Sequence, residues 1–505
     1  MRKRRERAEI LGAIDVGTNA VRLELARPLP DGSLETLHQE RDPVRPGEGV
    51  FATGSIPRAV ADRLLSTLRR YAALCRRDGA LVRAVATSAV REARNGFEIV
   101  RRAREEAGLE LEIVSGREEA RLICLGVLHG RPQSSRSLVI DIGGGSTEVA
   151  LAKGEHPVEL WSVAVGAVRL TEMFGTSAKV TRARLALLRS YAAEAFREGL
   201  PRRLLRPPAA LGSSGTINAV VAFAAEKGRS ATRKELSRAV EDLAAMGIDE
   251  RRRHFDPSRA EIIVGGAVIL EAVAHNLGLE SVTSVDTGLR NGVLIDLFRR
   301  TASDEPDDRS GAEAALALGR RFAFDERHAV QVGAIAVTLF EDLAALHGLP
   351  LSSRRLLEAA AVLHDLGNAV AFHKHHKHTF YLVANADMPG FSERERELVA
   401  TVARYHRRST PDRKRADLAH FSASELTTIR KLSALLRVAN ALDASHRQPV
   451  RSVRAHLAEG RVTLRLRARQ AIDLELWDVE REAPFFREVF RRGFEVVARR
   501  TRAGR

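Results

Sequence analysis

Ala13-Ile14-Asp15-Val16-Gly17-Thr18-Asn19 stands near the start of the chain and returns as Val139-Ile140-Asp141-Ile142-Gly143-Gly144-Gly145-Ser146-Thr147. Each copy is an apolar run that delivers one Asp and then a turn of Gly, Ser, Thr or Asn. Turns of this composition expose backbone N–H groups in concave nests that bind anions, and the Asp beside each can hold a cation. Strand-like sequence resumes after each turn, as Val21-Arg22-Leu23-Glu24-Leu25 and as Glu148-Val149-Ala150-Leu151. The turns therefore close strand–turn–strand hairpins. A P-loop would run into a helix and carry Gly-Lys-Ser/Thr, which neither copy has. One such motif alone is ordinary turn chemistry, since Asp and Gly commonly end strands. Two matched copies predict a duplicated α/β fold with a phosphate-binding cleft between its halves.

The rest of the chain arranges itself around that duplication. At 505 residues it is too long for one ordinary domain. A first lobe spans about 8–128, with a helical stretch from Pro57 to Arg77 and a strand Leu81–Ala86 that ends at Thr87-Ser88. A second lobe, 129–300, adds a third turn, Ser213-Ser214-Gly215-Thr216, where a strand gives way to the helical run Ile217–Val221. Free N–H groups at that helix start, with Ser214, Gly215 and Thr216, make a further anion site. Val285-Asp286-Thr287-Gly288-Leu289-Arg290 has the same strand-to-helix pattern. Thr301 to Gly311 is acidic and rich in breakers, so it reads as a linker. Helical periodicity fills 312–447. A small α+β tail, 448–505, opens with a hairpin around Glu459-Gly460 and is expected to close with a helix from about Pro484 to Arg499.

Lys plus Arg number 81 against 65 for Asp plus Glu, a net charge of +16, and most of the excess is arginine. Arginine's planar fork suits phosphate, so polyanions such as inorganic polyphosphate or a highly phosphorylated nucleotide fit; a compositional bias toward arginine would give the same count. Cys75 and Cys124 are the only cysteines, which excludes a disulfide framework and a thiolate metal site. Met1-Arg2-Lys3-Arg4-Arg5-Glu6-Arg7 is basic like a signal-peptide start, but Asp15 interrupts the apolar run that follows. The stretch around Ile262 to Leu270 is too short to span a bilayer. A cytoplasmic protein without a membrane partner is expected.

Asp141 and Glu148, seven residues apart across the second turn, can face one cation, with Asp15 contributing from the opposite clamp. Mg²⁺ takes one or two carboxylates plus waters and phosphate oxygens. Together the clamps, the run Ser115-Gly116-Arg117-Glu118-Glu119-Ala120-Arg121-Leu122, and Ala86-Thr87-Ser88-Ala89-Val90-Arg91 resemble the exopolyphosphatase / guanosine pentaphosphate phosphohydrolase family. Gly166–Leu170, Ser214-Gly215-Thr216 and Gly288-Leu289-Arg290 extend the resemblance along essentially the whole chain. It implies a two-lobed, actin-like (ribonuclease H-like) α/β fold followed by an α-helical HD-like domain. It further implies that Glu119 is the general base and that Asp141 and Glu148 are the Mg²⁺-side acids, with Mn²⁺ as an alternative metal. Phosphate contacts fall to Gly17, Thr18, Asn19, Gly143, Gly144, Gly145 and Ser146, with Arg22 and Arg91 as phosphate-facing cations. Taken without the resemblance, Glu119 reads as a surface carboxylate paired with Arg121 or Arg117. Two positions depart from the family pattern: Ala20 stands where a Ser is usual, and Pro46 occupies a usually aliphatic site beside Arg45.

In the helical region, His328 and then His364-Asp365 outline an HD-type metal site, whose mixed N/O ligands suit Mn²⁺, Fe or Mg²⁺. Its distant Asp is expected near Leu436-Arg437-Val438-Ala439-Asn440, where an Asn stands and Asp443 follows. His373, His375, His376, His378 and His406 read either as a polar packing surface or as further ligands. Arg461, Arg465, Arg467 and Arg469 share one strand face, which is either a solvated face or a track for polyphosphate.

The implied activity is release of terminal orthophosphate from inorganic polyphosphate, or removal of the 5′-phosphate of guanosine pentaphosphate. A homodimer is expected; nucleic acid is not. Kinase or ATPase chemistry on the same fold would need an adenosine site, which the residue types do not reveal. A non-catalytic sensor of polyphosphate or alarmone would have little need of Glu119, Asp141 and Glu148.

Overall fold

The computed structural model describes residues 10–29, 32–132, 134–200, 210–226, 228–302, 308–322, 324–371, 374–412, 415–458 and 460–500. The basic start Met1–Arg7, residues 303–307 of the expected linker, His373 and Glu459 lie outside the described residues. Two compact units divide between Ala302 and Ser303.

In the first unit, strand β1 (Leu11–Val16) is buried at every position, as expected of a central strand covered on both faces. It pairs antiparallel with β2 (Val21–Pro28), which pairs antiparallel with β3 (Leu34–Asp42). On its other side β1 runs parallel to β4 (Leu81–Ala86), and β4 parallel to β5 (Leu111–Ile113). The order is β3-β2-β1-β4-β5. The second copy repeats it with β6 (Arg136–Ile142), β7 (Thr147–Lys153), β8 (His156–Val163), β9 (Ala210–Ser213), β10 (Ser230–Thr232) and β11 (Ser281–Ser284). Its order is β8-β7-β6-β9-β11, with β10 added at the edge. This duplicated architecture is the actin-like α/β fold. Both hairpin expectations hold: Asp15 pairs across with Arg22, and Asp141 with Glu148.

Helices α1 (Arg58–Arg77), α2 (Ser88–Glu92), α3 (Gly116–Leu128), α4 (Gly215–Ala224), α5 (Pro257–Asn276) and α6 (Leu289–Ala302) complete what positions the site. Ser115 caps α3 by accepting from the Glu118 N–H at 3.1 Å, which fixes where the helix starts. The same helix crosses α6 at a pair of glycines. A Cβ on Gly292 would stand 1.8 Å from the Leu122 carbonyl oxygen, and one on Gly126 would stand 2.1 Å from that of Gly288. A buried ion lattice holds the crossing: Arg121 joins Glu118 (2.8 Å) to Asp296 (2.7 Å), and Arg83 joins Asp296 (2.7 Å) to Glu112 (3.0 Å).

The second unit packs α7 (Asp308–Arg321), α8 (Glu326–Asp342), α9 (Ser352–Leu363), α10 (His375–Ala384), α11 (Glu393–Arg404) and α12 (Ala423–Ala441) around one apolar core. The linker reading needs correction at both ends. Thr301 and Ala302 finish α6, and Asp308–Gly311 form the first turn of α7. The tail has the expected hairpin, β12 (Val450–Ala458) against β13 (Arg461–Ala468). Its end differs from the expected helix. Helix α13 covers Asp473–Phe490, and Gly493–Arg500 is a strand, β14, parallel to β13. Phe486, Phe490 and Phe494 repeat every four residues and so mimic a helical stripe. Arg491 turns the chain at φ 52°, and the rings of Phe490 and Phe494 both reach Phe486, at 4.6 and 4.4 Å. No helix among the described residues is long and apolar enough to cross a membrane.

Candidate active site

The two clamp turns are closed by matching hydrogen bonds. Gly17 N–H donates to Ala20 O at 3.1 Å, and Gly143 N–H donates to Ser146 O at 2.9 Å. They line one cleft together with Asp15, Glu119, Asp141 and the third turn, Ser214-Gly215-Thr216. Ser214 sits at φ 87°, ψ 152°, a backbone region that glycine occupies and other residues avoid, while its side chain caps α4. Arg169 braces the second clamp from behind, donating to Gly145 O at 2.8 Å and pairing with Glu92 at 2.6 Å.

Glu119 is buried on the first turn of α3. Its partner is neither Arg117 nor Arg121, since the latter is taken by Glu118. Instead Arg91 donates to Glu119 Oε2 at 3.0 Å and to the Val114 carbonyl at 2.9 Å. Arg91 therefore does not line the cleft; it is the counter-ion of Glu119. Burial pushes the Glu119 carboxyl up to about 7 against the pull of Arg91, and Asp141 and Asp15 add to the rise. Burial likewise lifts Asp141 to about 6, and it holds Glu148 well above the carboxylate range with Glu119 reinforcing the effect.

Asp15 accepts from Arg22 at 3.1 Å through one oxygen, and Glu148 accepts from Ser162 at 2.8 Å through one oxygen. The second oxygens, Asp15 Oδ1 and Glu148 Oε2, are buried without a hydrogen-bond partner, as is Asn19 Oδ1. Orphaned carboxylate oxygens around an anion cradle fit a hard divalent cation. Asp15, Asp141 and Glu148 are not among the groups whose ligand atoms come within 4.8 Å of one another. They suit a cation that keeps waters and phosphate oxygens in its shell rather than an all-protein cage. Glu148 stands behind the cleft, outside its lining.

Three further arginines line the cleft: Arg41, Arg259 and Arg290. Arg290 stands 3.7 Å from buried Glu24, and its motif was visible in Gly288-Leu289-Arg290. Sequence reasoning missed Arg41 and Arg259. The first ends a largely exposed edge strand and the second opens α5, so no local pattern marks either. Arg45 pairs with Glu261 at 2.9 Å and adopts φ 57°, the turn that precedes Pro46.

In the second unit, His328, His364, His375 and His406 are buried, and Asp365 stands among them. Asp443 rather than Asn440 faces this cluster: it is fully buried and meets His328 Nδ1 at 2.8 Å. His376 is buried beside the cluster, and burial pushes its imidazole down to about 4. The arginine face of β13 is solvent-exposed, with Arg461 paired to Glu495 at 2.8 Å.

A duplicated actin-like core, with anion turns and elevated carboxylates meeting in one cleft, defines a phosphate-handling protein. The profile of the Ppx/GppA phosphatase family matches residues 29–301, and that of Ppx/GppA phosphatase domain III matches residues 312–483. The chain belongs to the Ppx/GppA phosphatase family and is a phosphatase. The solved structure of an exopolyphosphatase-like protein is similar at TM-score 0.53 and 25% identity, over 58% of this chain and 99% of its own. An exopolyphosphatase from Cytophaga hutchinsonii is similar at TM-score 0.51 and 26% identity, over 57% of this chain and 97% of its own. The Aquifex aeolicus PPX-GPPA enzyme gives 26% identity and TM-score 0.49 over 57% of this chain and 98% of its own.

Proposed function

We propose that this phosphatase is an exopolyphosphatase, releasing terminal orthophosphate from inorganic polyphosphate with Mg²⁺ bound beside Asp15 and Asp141. The observation that carries this reading is the Glu119 carboxyl, buried at the cleft wall, held by Arg91, and pushed up to about 7. A carboxylate whose pKa lies near the working pH is better matched to take up the water's proton in the transition state than an ordinary exposed glutamate. Water oxygen attacks the terminal phosphorus, its proton passes to Glu119, and the bridging P–O bond breaks. The products are orthophosphate and a chain one unit shorter. The N–H groups of the clamps and the cleft arginines hold the phosphate oxygens as charge develops. Bound Mg²⁺ would supply further charge neutralisation.

Arg22, Arg41, Arg259 and Arg290 favour a substrate with several successive phosphates. Similarity to the exopolyphosphatase from Cytophaga hutchinsonii supports the same substrate. The test is orthophosphate release from long-chain polyphosphate beside release from guanosine pentaphosphate, each with Mg²⁺. Faster release from polyphosphate is expected. Release from the pentaphosphate alone would keep the chemistry and replace the substrate.

A further inference from the structure

The second clamp is held in place by its carbonyl oxygens. Gly143 O accepts from the Ala167 N–H at 3.0 Å, and Gly144 O accepts from the Val168 and Arg169 N–H groups at 2.8 and 3.0 Å. These donors open the helix Ala167–Phe174, where the first N–H groups have no partner within the helix. The next carbonyl, Gly145 O, accepts instead from a side chain, Arg169 Nε at 2.8 Å.

In a trans peptide the N–H points opposite to the carbonyl. Holding the carbonyls of Gly143, Gly144 and Gly145 therefore turns the N–H groups of Gly144, Gly145 and Ser146 the other way, and these residues line the cleft. Successive N–H groups aimed to one side form an anion nest. Backbone sets the first two members of this nest. One arginine side chain sets the third.

What steadies that arginine comes from the opposite half of the unit. Gly145 and Arg169 belong to the half built on β6–β11, whereas Phe51, Ser88 and Glu92 belong to the half built on β1–β5. Arg169 Nη2 donates to both Glu92 oxygens, at 2.7 and 2.6 Å, and its guanidinium stands 4.1 Å from the centre of the Phe51 ring. Ser88 Oγ donates to Glu92 Oε1 at 2.8 Å and fixes the carboxylate in turn. The halves meet tightly here: a Cβ on Gly145 would stand 2.1 Å from Ser88 Oγ and 2.6 Å from Phe51 Cζ. The planar fork lets Nε take the carbonyl while Nη2 takes the carboxylate, a division that a lysine ammonium cannot reproduce.

We infer that Arg169 and Glu92 are positioning residues for the second clamp, a role that rests on the reading of this clamp as a substrate-phosphate site. Glu92 fixes Arg169 from across the two halves, and Arg169 fixes the Gly145–Ser146 peptide so that the Ser146 N–H faces the phosphate. Neither side chain is part of the cleft lining, so each acts on phosphate through that peptide. The third N–H is in place only while the halves meet at Glu92 and Phe51. Separation there frees the Gly145 carbonyl and loosens the hold on phosphate.

The test is calorimetric titration of the full chain with inorganic tripolyphosphate and Mg²⁺, in the Glu119→Gln background to prevent turnover, with each variant shown to be folded by circular dichroism. Arg169→Met should weaken binding about tenfold, the effect of losing one hydrogen bond to a charged group. Arg169→Lys should fall between Arg169→Met and the intact chain. Glu92→Ala should weaken binding about threefold, although removing a negative charge would by itself favour an anion. The double variant Glu92→Ala/Arg169→Met should bind as Arg169→Met alone does, because Glu92 acts through Arg169. A merely structural role would lower the urea midpoint and leave the affinity of the folded chain unchanged. Folded Arg169→Met that binds as tightly as the intact chain overturns the assignment, as does Glu92→Ala that binds more tightly. A chain with both residues intact that binds no tripolyphosphate overturns the phosphate reading of the clamp, and the assignment with it.

Discussion

At the scale of single residues, Arg91 and Ser214 make the sharpest predictions. Arg91 stabilises the ionised form of Glu119. Arg91→Met should therefore raise the Glu119 pKa further and move the acid limb of kcat/KM for phosphate release to higher pH, by about one unit. An unmoved limb would mean that Arg91 does not tune the base. Ser214 occupies a strained backbone region, so Ser214→Gly should stabilise the chain by about 1 kcal/mol in urea unfolding, less a few tenths for the lost cap. A lower midpoint would contradict the strain. Asp15 and Asp141 were legible in sequence because each lies near the end of a strand in a repeated motif, with Glu148 across the second turn. Glu119, on a helix outside the motif, was legible only through the family resemblance. Arg41 and Arg259 were not, because long side chains reach the cleft from elements whose local pattern serves only edge and cap. Asp443 was legible only as the nearest acid to Asn440; the fold had to show which of the two turns toward His328.

At the scale of elements, the site depends on how closely α3 approaches α6. Gly292→Ala forces a methyl against the Leu122 carbonyl, so the backbones must separate. A loss of about 1–3 kcal/mol in urea unfolding is expected, with reduced phosphate release because Glu119 rides on α3. A variant with unchanged midpoint and rate would contradict that close crossing. Both hairpins and the strand-to-helix turns could be read from the sequence, since period-two alternation and Gly-Ser turns are local signals. The last strand could not. Phe486, Phe490 and Phe494 follow a helical spacing, and only the turn at Arg491 and pairing with β13 turn the last of them into a strand residue. The ends of the linker expected at Thr301–Gly311 were misread for a related reason. Acidic residues suit a first helical turn as well as a loop, and Asp308–Gly311 take the helical option.

At the scale of the whole molecule, the buried carboxylates of the first unit set a pH dependence. Glu119, Asp141 and Glu148 have folded-state pKa values raised above their ordinary ones. Between about 4.5 and 7 the folded chain thus keeps protons that the unfolded chain has released, and stability falls as pH rises through that window. Calorimetry without metal should show a lower Tm at pH 8 than at pH 5.5. Mg²⁺ should raise Tm more at pH 8, where the carboxylates must ionise and need a cation. An equal Mg²⁺ effect at both values would place the cation elsewhere. The duplicated architecture was readable from one repeated motif, since each copy dictates a hairpin and a neighbouring parallel strand. The division between Ala302 and Ser303 was readable only approximately, because α6 continues past the expected end of the lobe.

The proposed chemistry rests on Glu119 taking a proton from the attacking water. Its most direct test is the steady-state rate of orthophosphate release from polyphosphate by wild type and Glu119→Gln at pH 8 with Mg²⁺, both shown to be folded by circular dichroism. A loss of about 10²–10⁴-fold in kcat is expected, with polyphosphate binding retained. A Glu119→Gln enzyme that releases phosphate at the wild-type rate would contradict it.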